Sequence, residues 1–330
     1  MIRFGIVGTN WITERLLGAV ANHEDFVLKA VYSRTEDRAR EFAAKYGVEL
    51  TFTDLNEMAA SDEIDAVYIA SPNSYHAEQA ILFMEHGKHV LCEKPLAANA
   101  KEVKAMIEAA KSNNVVLMEA MKSTVMPNFQ VIQDNLDKLG KIRTYFSNYC
   151  QYSSRYDAYK KGTVLNAFNP EYATGALMDL GVYTIFPLVA LFGKPNTVKA
   201  SGHVLETGAD AQGSILLTYD EMQASVMYSK ITDSNLPSEI HGEDATMVID
   251  HISSPEKIEI RYRDGTIEDL SIQQEMDPMY YEVAEFIQLI QSRENESKLN
   301  SWETSLHVME IMDEARKQIG VTFPNDKQVN

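Results

Sequence analysis

The chain has 330 residues, 45% hydrophobic and 24% charged, which suits two folded domains of ordinary soluble composition. Thirty Lys and Arg against 48 Asp and Glu give a formal net charge of −18, the wrong sign for nucleic acid or an anionic membrane surface, so neither is expected as a partner. Cys92 and Cys150 are too few for a disulfide framework and form no CxxC pair, no run approaches the roughly 18 apolar residues of a membrane span, and the N-terminus lacks a signal-peptide layout, so a cytoplasmic protein is expected.

The first third alternates. Short apolar runs at 2–7, 27–32, 66–70, 89–92 and 115–119 read as strands, and stretches of helical periodicity at 11–21, 35–46, 75–86 and 101–111 separate them. Continuously apolar strands joined by helices mean a parallel sheet covered on both faces, a doubly wound Rossmann-like domain over residues 1–121. After residue 122 the pattern changes. One helix, 127–138, precedes alternating β-rich stretches at 142–152, 198–205, 213–219, 223–229, 246–250, 257–261 and 267–270, several joined by tight turns. Two amphipathic helices, 279–292 and 302–319, close the chain. Residues 122–330 are therefore predicted as an α+β domain on a large open, mostly antiparallel sheet. Seven strands with few helices leave one sheet face uncovered. With Ile215, Leu216, Val226 and Met227 on it, that face is expected to pair with a second copy, giving a homodimer.

The turn after the first strand, Gly8-Thr9-Asn10-Trp11-Ile12-Thr13, stands where a dinucleotide-binding protein carries G-x-G-x-x-G/A. Gly8 can make the tight turn. Asn10 occupies the second glycine position, and Thr13 the place of a small packing residue. The second strand ends in Ser33-Arg34, with Arg38 one helical turn on and no Asp or Glu at 32–34 to grip a ribose diol. A guanidinium fork suits a 2′-phosphate, which an acid would repel. The same arginines also suit a solvated helix start among Glu36, Asp37 and Glu41, and both readings stand at this point. No HxH or HExxH spacing occurs, so no catalytic metal is expected.

Four further segments sit at strand ends: Ala70-Ser71-Pro72-Asn73-Ser74-Tyr75-His76, Cys92-Glu93-Lys94-Pro95, Met118-Glu119-Ala120-Met121, and the stretch from Gly175 to Tyr183. Together they resemble the glucose–fructose oxidoreductase, inositol dehydrogenase and rhizopine-catabolism family of NAD(P)-dependent oxidoreductases, over essentially the whole chain. Glu93-Lys94-Pro95 is its most specific mark. Ser33-Arg34, Leu117–Ala120 and Tyr183 look most like its NADP-dependent dihydrodiol and sugar dehydrogenase branch, the family's inositol dehydrogenases typically carrying His where Tyr183 stands.

The resemblance implies roles residue by residue. Lys94 would be a catalytic-site lysine, Tyr183 the proton donor and acceptor, and Asp179 a substrate or supporting partner. Gly8, Asn10, Trp11 and Ile12 would lie at a pyrophosphate, and Ser33, Arg34 and Arg38 at the adenosine ribose. Ser71, Asn73, His76, Glu93 and Met121, with Lys94, would line the rest of the cofactor cleft. The implied cofactor is NADP, with NAD as the alternative, and the implied substrate a sugar, polyol or dihydrodiol-like secondary alcohol.

The chemistry is coherent. Hydride transfer to or from a carbonyl carbon needs a proton moved at the oxygen. A phenol of pKa about 10 donates readily at neutral pH, but accepts only with help, which a nearby ammonium gives by favouring the phenolate. Asp179 and Tyr183 are four apart and share a face if 176–191 is an α-helix. The competing reading is a cofactor-binding sensor on the same fold, which should lack the lysine or the acid–base residue.

Overall fold

Six apolar runs form a parallel sheet, one more than the sequence predicts. In the computed structural model, which describes residues 1–327, they are β1 (Ile2–Val7), β2 (Phe26–Tyr32), β3 (Leu50–Phe52), β4 (Ala66–Ile69), β5 (His89–Glu93) and β6 (Leu117–Ala120). Their order is β3-β2-β1-β4-β5-β6, every pairing parallel. Strands β4 and β6 are buried along their whole length, as a sheet covered on both faces requires. The direction of winding reverses between β1 and β4, and in such sheets ligands bind outside the carboxyl ends of the strands at that point. The helices are α1 (Trp11–Ala19), α2 (Glu36–Lys45), α3 (Leu55–Ala59), α4 (His76–Glu85) and α5 (Ala100–Asn113).

The chain divides into two units. The first consists of Met1–Met121 together with Met276–Trp302, a returning segment that the sequence reading placed in the second domain. The returning segment is held by packing and by hydrogen bonds. Phe286 lies 5.9 Å from Phe4 between ring centres, Asn300 Nδ2 donates to the carbonyls of Glu119 and Met121, and Trp302 Nε1 donates to Leu117 O at 2.9 Å.

The second unit, Lys122–Glu275 with Glu303 onward, contains helices α6 (Lys122–Val125), α7 (Pro127–Asp134), α8 (Ser154–Lys160) and α9 (Val182–Phe192); α10 (Pro278–Ser292) belongs to the first unit, and α11 (Trp302–Ile319) starts at its edge. Its sheet has eight strands: β7 (Ile142–Cys150), β8 (Thr197–Val204), β9 (Asp210–Thr218), β10 (Gln223–Ser229), β11 (Ser238–Gly242), β12 (Ala245–Ile249), β13 (Ile258–Tyr262) and β14 (Ile267–Asp269). The order is β14-β13-β12-β11-β7-β10-β9-β8, antiparallel except for the parallel pair β7–β10. The buried helix α9 lies against the inner face, where Tyr145 OH donates to Thr184 O. The stretch Pro170–Phe192 is long and apolar enough by composition to cross a membrane, contrary to the sequence expectation, but 72% of its apolar window is buried in the protein.

The expected uncovered face needs a second correction. Ile215 and Val226 are 0% and 1% exposed, whereas Leu216 and Met227 are 56% and 40% exposed. Neighbours along a strand point to opposite faces, so only Leu216 and Met227 belong to the outer face, beside Ser214 and Ser225, their cross-strand partners.

Candidate active site

The site residues of the first unit gather at the carboxyl ends of β1, β2, β4 and β5. Gly8 has φ +111°, and a Cβ there would meet Ala70 O at 2.7 Å, so the turn excludes any side chain. Asn10 does not break the turn. It caps α1, accepting from Ile12 N at 3.1 Å and Thr13 N at 3.3 Å, while its Nδ2 donates to Ala70 O at 2.7 Å. Thr13 is fully buried and donates its hydroxyl to Gly8 O. Both departures from the glycine pattern thus tie β1, α1 and β4 together. Trp11 stands 61% exposed at the first turn, and Ile12 is half-buried beside it.

The two arginines separate. Arg38 donates to Thr9 Oγ1 and Thr9 O and pairs with Glu41. It thereby clamps the glycine turn from the side of α2. Arg34 is exposed at the end of β2 beside half-buried Ser33. Its charge acts on Tyr32, whose phenol burial nevertheless holds above its usual pKa.

At β4 and β5 three expected cleft residues turn inward. His76 is fully buried, its ring nitrogens 3.0 Å from Pro95 O and 2.9 Å from Ser71 O. Burial holds its pKa below the ordinary imidazole value, and the Lys94 charge adds to this. His76 therefore joins the ends of β4 and β5 from inside. Glu93, 8% exposed, accepts from Tyr68 OH at 2.6 Å and from Lys94 N at 3.3 Å. Glu119 accepts from Leu96 N. Two buried carboxylates thus fix the backbone around half-buried Lys94. Met121 is fully buried. Ser71 donates to Gln79 Oε1 at 2.7 Å, and Asn73 begins the short turn leading into α4.

In the second unit the segment carrying Asp179 is not α-helical. Leu177–Gly181 forms one π-helical turn running into α9, a widening frequent at functional sites. It corrects the premise of a continuous α-helix: Asp179 turns to Lys230, whose buried ammonium pairs with Asp179 Oδ2. Asp210 anchors the turn by accepting from Leu177 N at 2.7 Å. Burial pushes the Asp210 carboxyl up to about 6, although the Leu177 amide and the charges of Lys230 and Arg316 pull it down. A Cβ on Gly175 would lie 2.0 Å from Asp210 Oδ1, so glycine is required there for the carboxylate to reach the turn. Tyr183 is half-buried, its ring edge-on to Tyr149 at 5.7 Å. The Lys122 ammonium stands 5.8 Å from the centre of the Tyr183 ring. Lys122 and Lys230 are two site lysines that sequence reasoning missed.

Gly8's cradle, the capped start of α1 and an exposed arginine at the end of β2 fit a dinucleotide whose adenosine ribose carries a phosphate. A family model described as an oxidoreductase family with an NAD-binding Rossmann fold matches residues 2–121, and the model of its C-terminal domain matches residues 131–248. The chain is similar to scyllo-inositol 2-dehydrogenase (NADP(+)) of Bacillus subtilis, 57% identical over 99% of this chain and 100% of that one. It is 29% identical to the trans-1,2-dihydrobenzene-1,2-diol dehydrogenase of Mus musculus over 99% of each. Among solved structures it resembles a 3-ketoreductase of Actinomadura kijaniata in complex with NADP and TDP-benzene, with TM-score 0.84 and 24% identity over 96% of this chain and 98% of that one.

Proposed function

The chain belongs to the glucose–fructose oxidoreductase, inositol dehydrogenase and rhizopine-catabolism family and is an NAD(P)-dependent oxidoreductase of sugars or polyols; from that premise we propose that it oxidises a cyclic polyol with NADP, reversibly. The full-length likeness to an NADP-dependent scyllo-inositol dehydrogenase carries this reading. It moves an inositol ahead of the dihydrodiol to which Tyr183 points.

The Gly8–Ile12 turn and Ser33–Arg34 would hold the cofactor, which when bound would supply the hydride acceptor. The chain's own residues then manage the proton and the orientation. Tyr183 takes the proton from the reacting hydroxyl during oxidation and returns it during reduction. Lys122 over its ring favours the phenolate, and Tyr149 fixes the ring plane. Lys94 contributes a second positive charge toward the substrate oxygen. Asp179, paired with Lys230, accepts a hydrogen bond from a neighbouring substrate hydroxyl. The rival reading, a sensor without turnover, would have no use for this set. The test is a panel of scyllo-inositol, myo-inositol, glucose and a dihydrodiol with each cofactor, monitored by the absorbance of reduced nicotinamide. No turnover of any would refute the enzyme's proposed substrate class.

Cofactor choice gives a sharper expectation. A charge-assisted hydrogen bond contributes roughly 1.5–3 kcal/mol, and about 1.4 kcal/mol is tenfold. Arg34→Ala should therefore lower kcat/KM for NADP about tenfold and leave NAD nearly unchanged. Unaltered selectivity would make Arg34 a solvated helix-start residue.

We also propose that the outer sheet face bearing Leu216 and Met227 pairs with a second copy. Light scattering should then give about twice the 37.1 kDa chain mass. A value near the chain mass at micromolar concentration would rule this out.

A further inference from the structure

We propose that Lys230 is a positioning residue of the active site, fixing the Asp179 carboxylate for recognition of a substrate hydroxyl next to the reacting carbon. The inference rests on the reading of Asp179 and Tyr183 given above and adds a residue to it.

Lys230 follows β10 directly, and its side chain is only 5% exposed. A buried ammonium is costly unless paired and hydrogen-bonded. Its partner is Asp179 Oδ2, its charge also reaches Asp210, and it lies 5.9 Å from the centre of the Phe168 ring. Asp179 is different: 39% of its side chain remains exposed. The pair is therefore buried at its cationic end and open at its anionic end.

The polypeptide around it is shaped for this geometry. The π-helical turn Leu177–Gly181 bears Asp179, and Asp210 secures the turn through Leu177 N. A purely structural ion pair needs neither a widened turn nor an open carboxylate. A ligand-binding one needs the accessible carboxylate, and widened turns are frequent at such sites, because the acid must keep its direction while meeting a hydroxyl from outside.

The chemistry recognised is that of a vicinal diol. One hydroxyl loses its proton to Tyr183, while an adjacent one donates to Asp179. A substrate lacking the second hydroxyl should gain nothing from Lys230.

A double-mutant cycle tests this, because coupled residues fail to add. Lys230→Met, Asp179→Asn and the double variant are compared with scyllo-inositol and NADP. Met matches the lysine in length and is apolar, and the Asp179 carboxylate it leaves behind is 39% exposed and open to solvation by water. Loss of one charge-assisted hydrogen bond corresponds to roughly tenfold. Lys230→Met should raise KM for scyllo-inositol about tenfold, lower kcat less, and leave the NADPH dissociation constant close to wild type. Lys230→Arg should recover part of the loss. In the Asp179→Asn background the same change should alter kcat/KM less than twofold. If Met is not accommodated, Lys230→Gln enters the same cycle.

Wild-type kinetics in Lys230→Met, or an equal loss with Asp179 already neutralised, would overturn the inference. Asp179→Asn at full activity with Tyr183→Phe inactive would overturn it alone. Tyr183→Phe at full activity would overturn the underlying reading instead.

Discussion

Tyr183→Phe is expected to reduce kcat by roughly 10²–10⁴-fold, the usual contribution of a positioned acid–base group. The change deletes one oxygen. The ring keeps its edge contact with Tyr149 and its place beneath Lys122, so thermal stability should hold. NADPH affinity, measured by fluorescence titration, should also stay near wild type, since the role proposed for the hydroxyl is to move a proton and not to hold a phosphate. Near-normal kcat on a confirmed polyol would show that another group handles the proton.

Lys94→Ala should cost at least as much, again roughly 10²-fold or more. Glu93 and Glu119 hold the backbone at residues 94 and 96, so the turn should survive truncation of the side chain. What disappears is the positive charge to which the proposed mechanism gives a role. Lys94→Arg should not restore the rate, because a planar fork cannot replace a compact ammonium at a fixed distance. Steady-state and single-turnover rates with scyllo-inositol provide the measurement. An unimpaired Lys94→Ala enzyme beside an inactive Tyr183→Phe enzyme would leave Lys122 as the lysine that acts on the phenol.

How much of this the sequence carried depended on range. The parallel strands were legible because burial on both faces writes itself as unbroken apolar runs such as 66–69. Strand β3 was not, since three residues at a sheet edge give too little pattern. Strand β11, Ser238–Gly242, hides a single apolar Ile240 among polar residues. The motif around Glu93-Lys94-Pro95 located the lysine, but the inward turn of Glu93 toward Tyr68 depends on a partner 25 residues away. Lys230 lies 51 residues from Asp179, a pairing no local spacing rule can reach. The π-helical turn was invisible for another reason: an apolar stretch reads as α-helix whether or not one turn is widened. Outer and inner sheet residues were confused where four apolar side chains were assigned to one face, though strand alternation alone separates Leu216 from Ile215.

The return of residues 276–302 to the first unit also constrains how the protein is made. During synthesis the β1–β6 sheet leaves the ribosome early but lacks α10, whose Phe286 packs against Phe4. It also lacks Asn300 and Trp302, which supply donors to the carbonyls at the end of β6. At roughly 5–20 residues per second, the stretch from 122 to 302 takes on the order of ten to forty seconds. For that interval the nascent sheet exposes an apolar seat, the condition in which chaperones engage a chain. A fragment ending at residue 121 would hold that state permanently, so the dinucleotide-binding half is not a separable module.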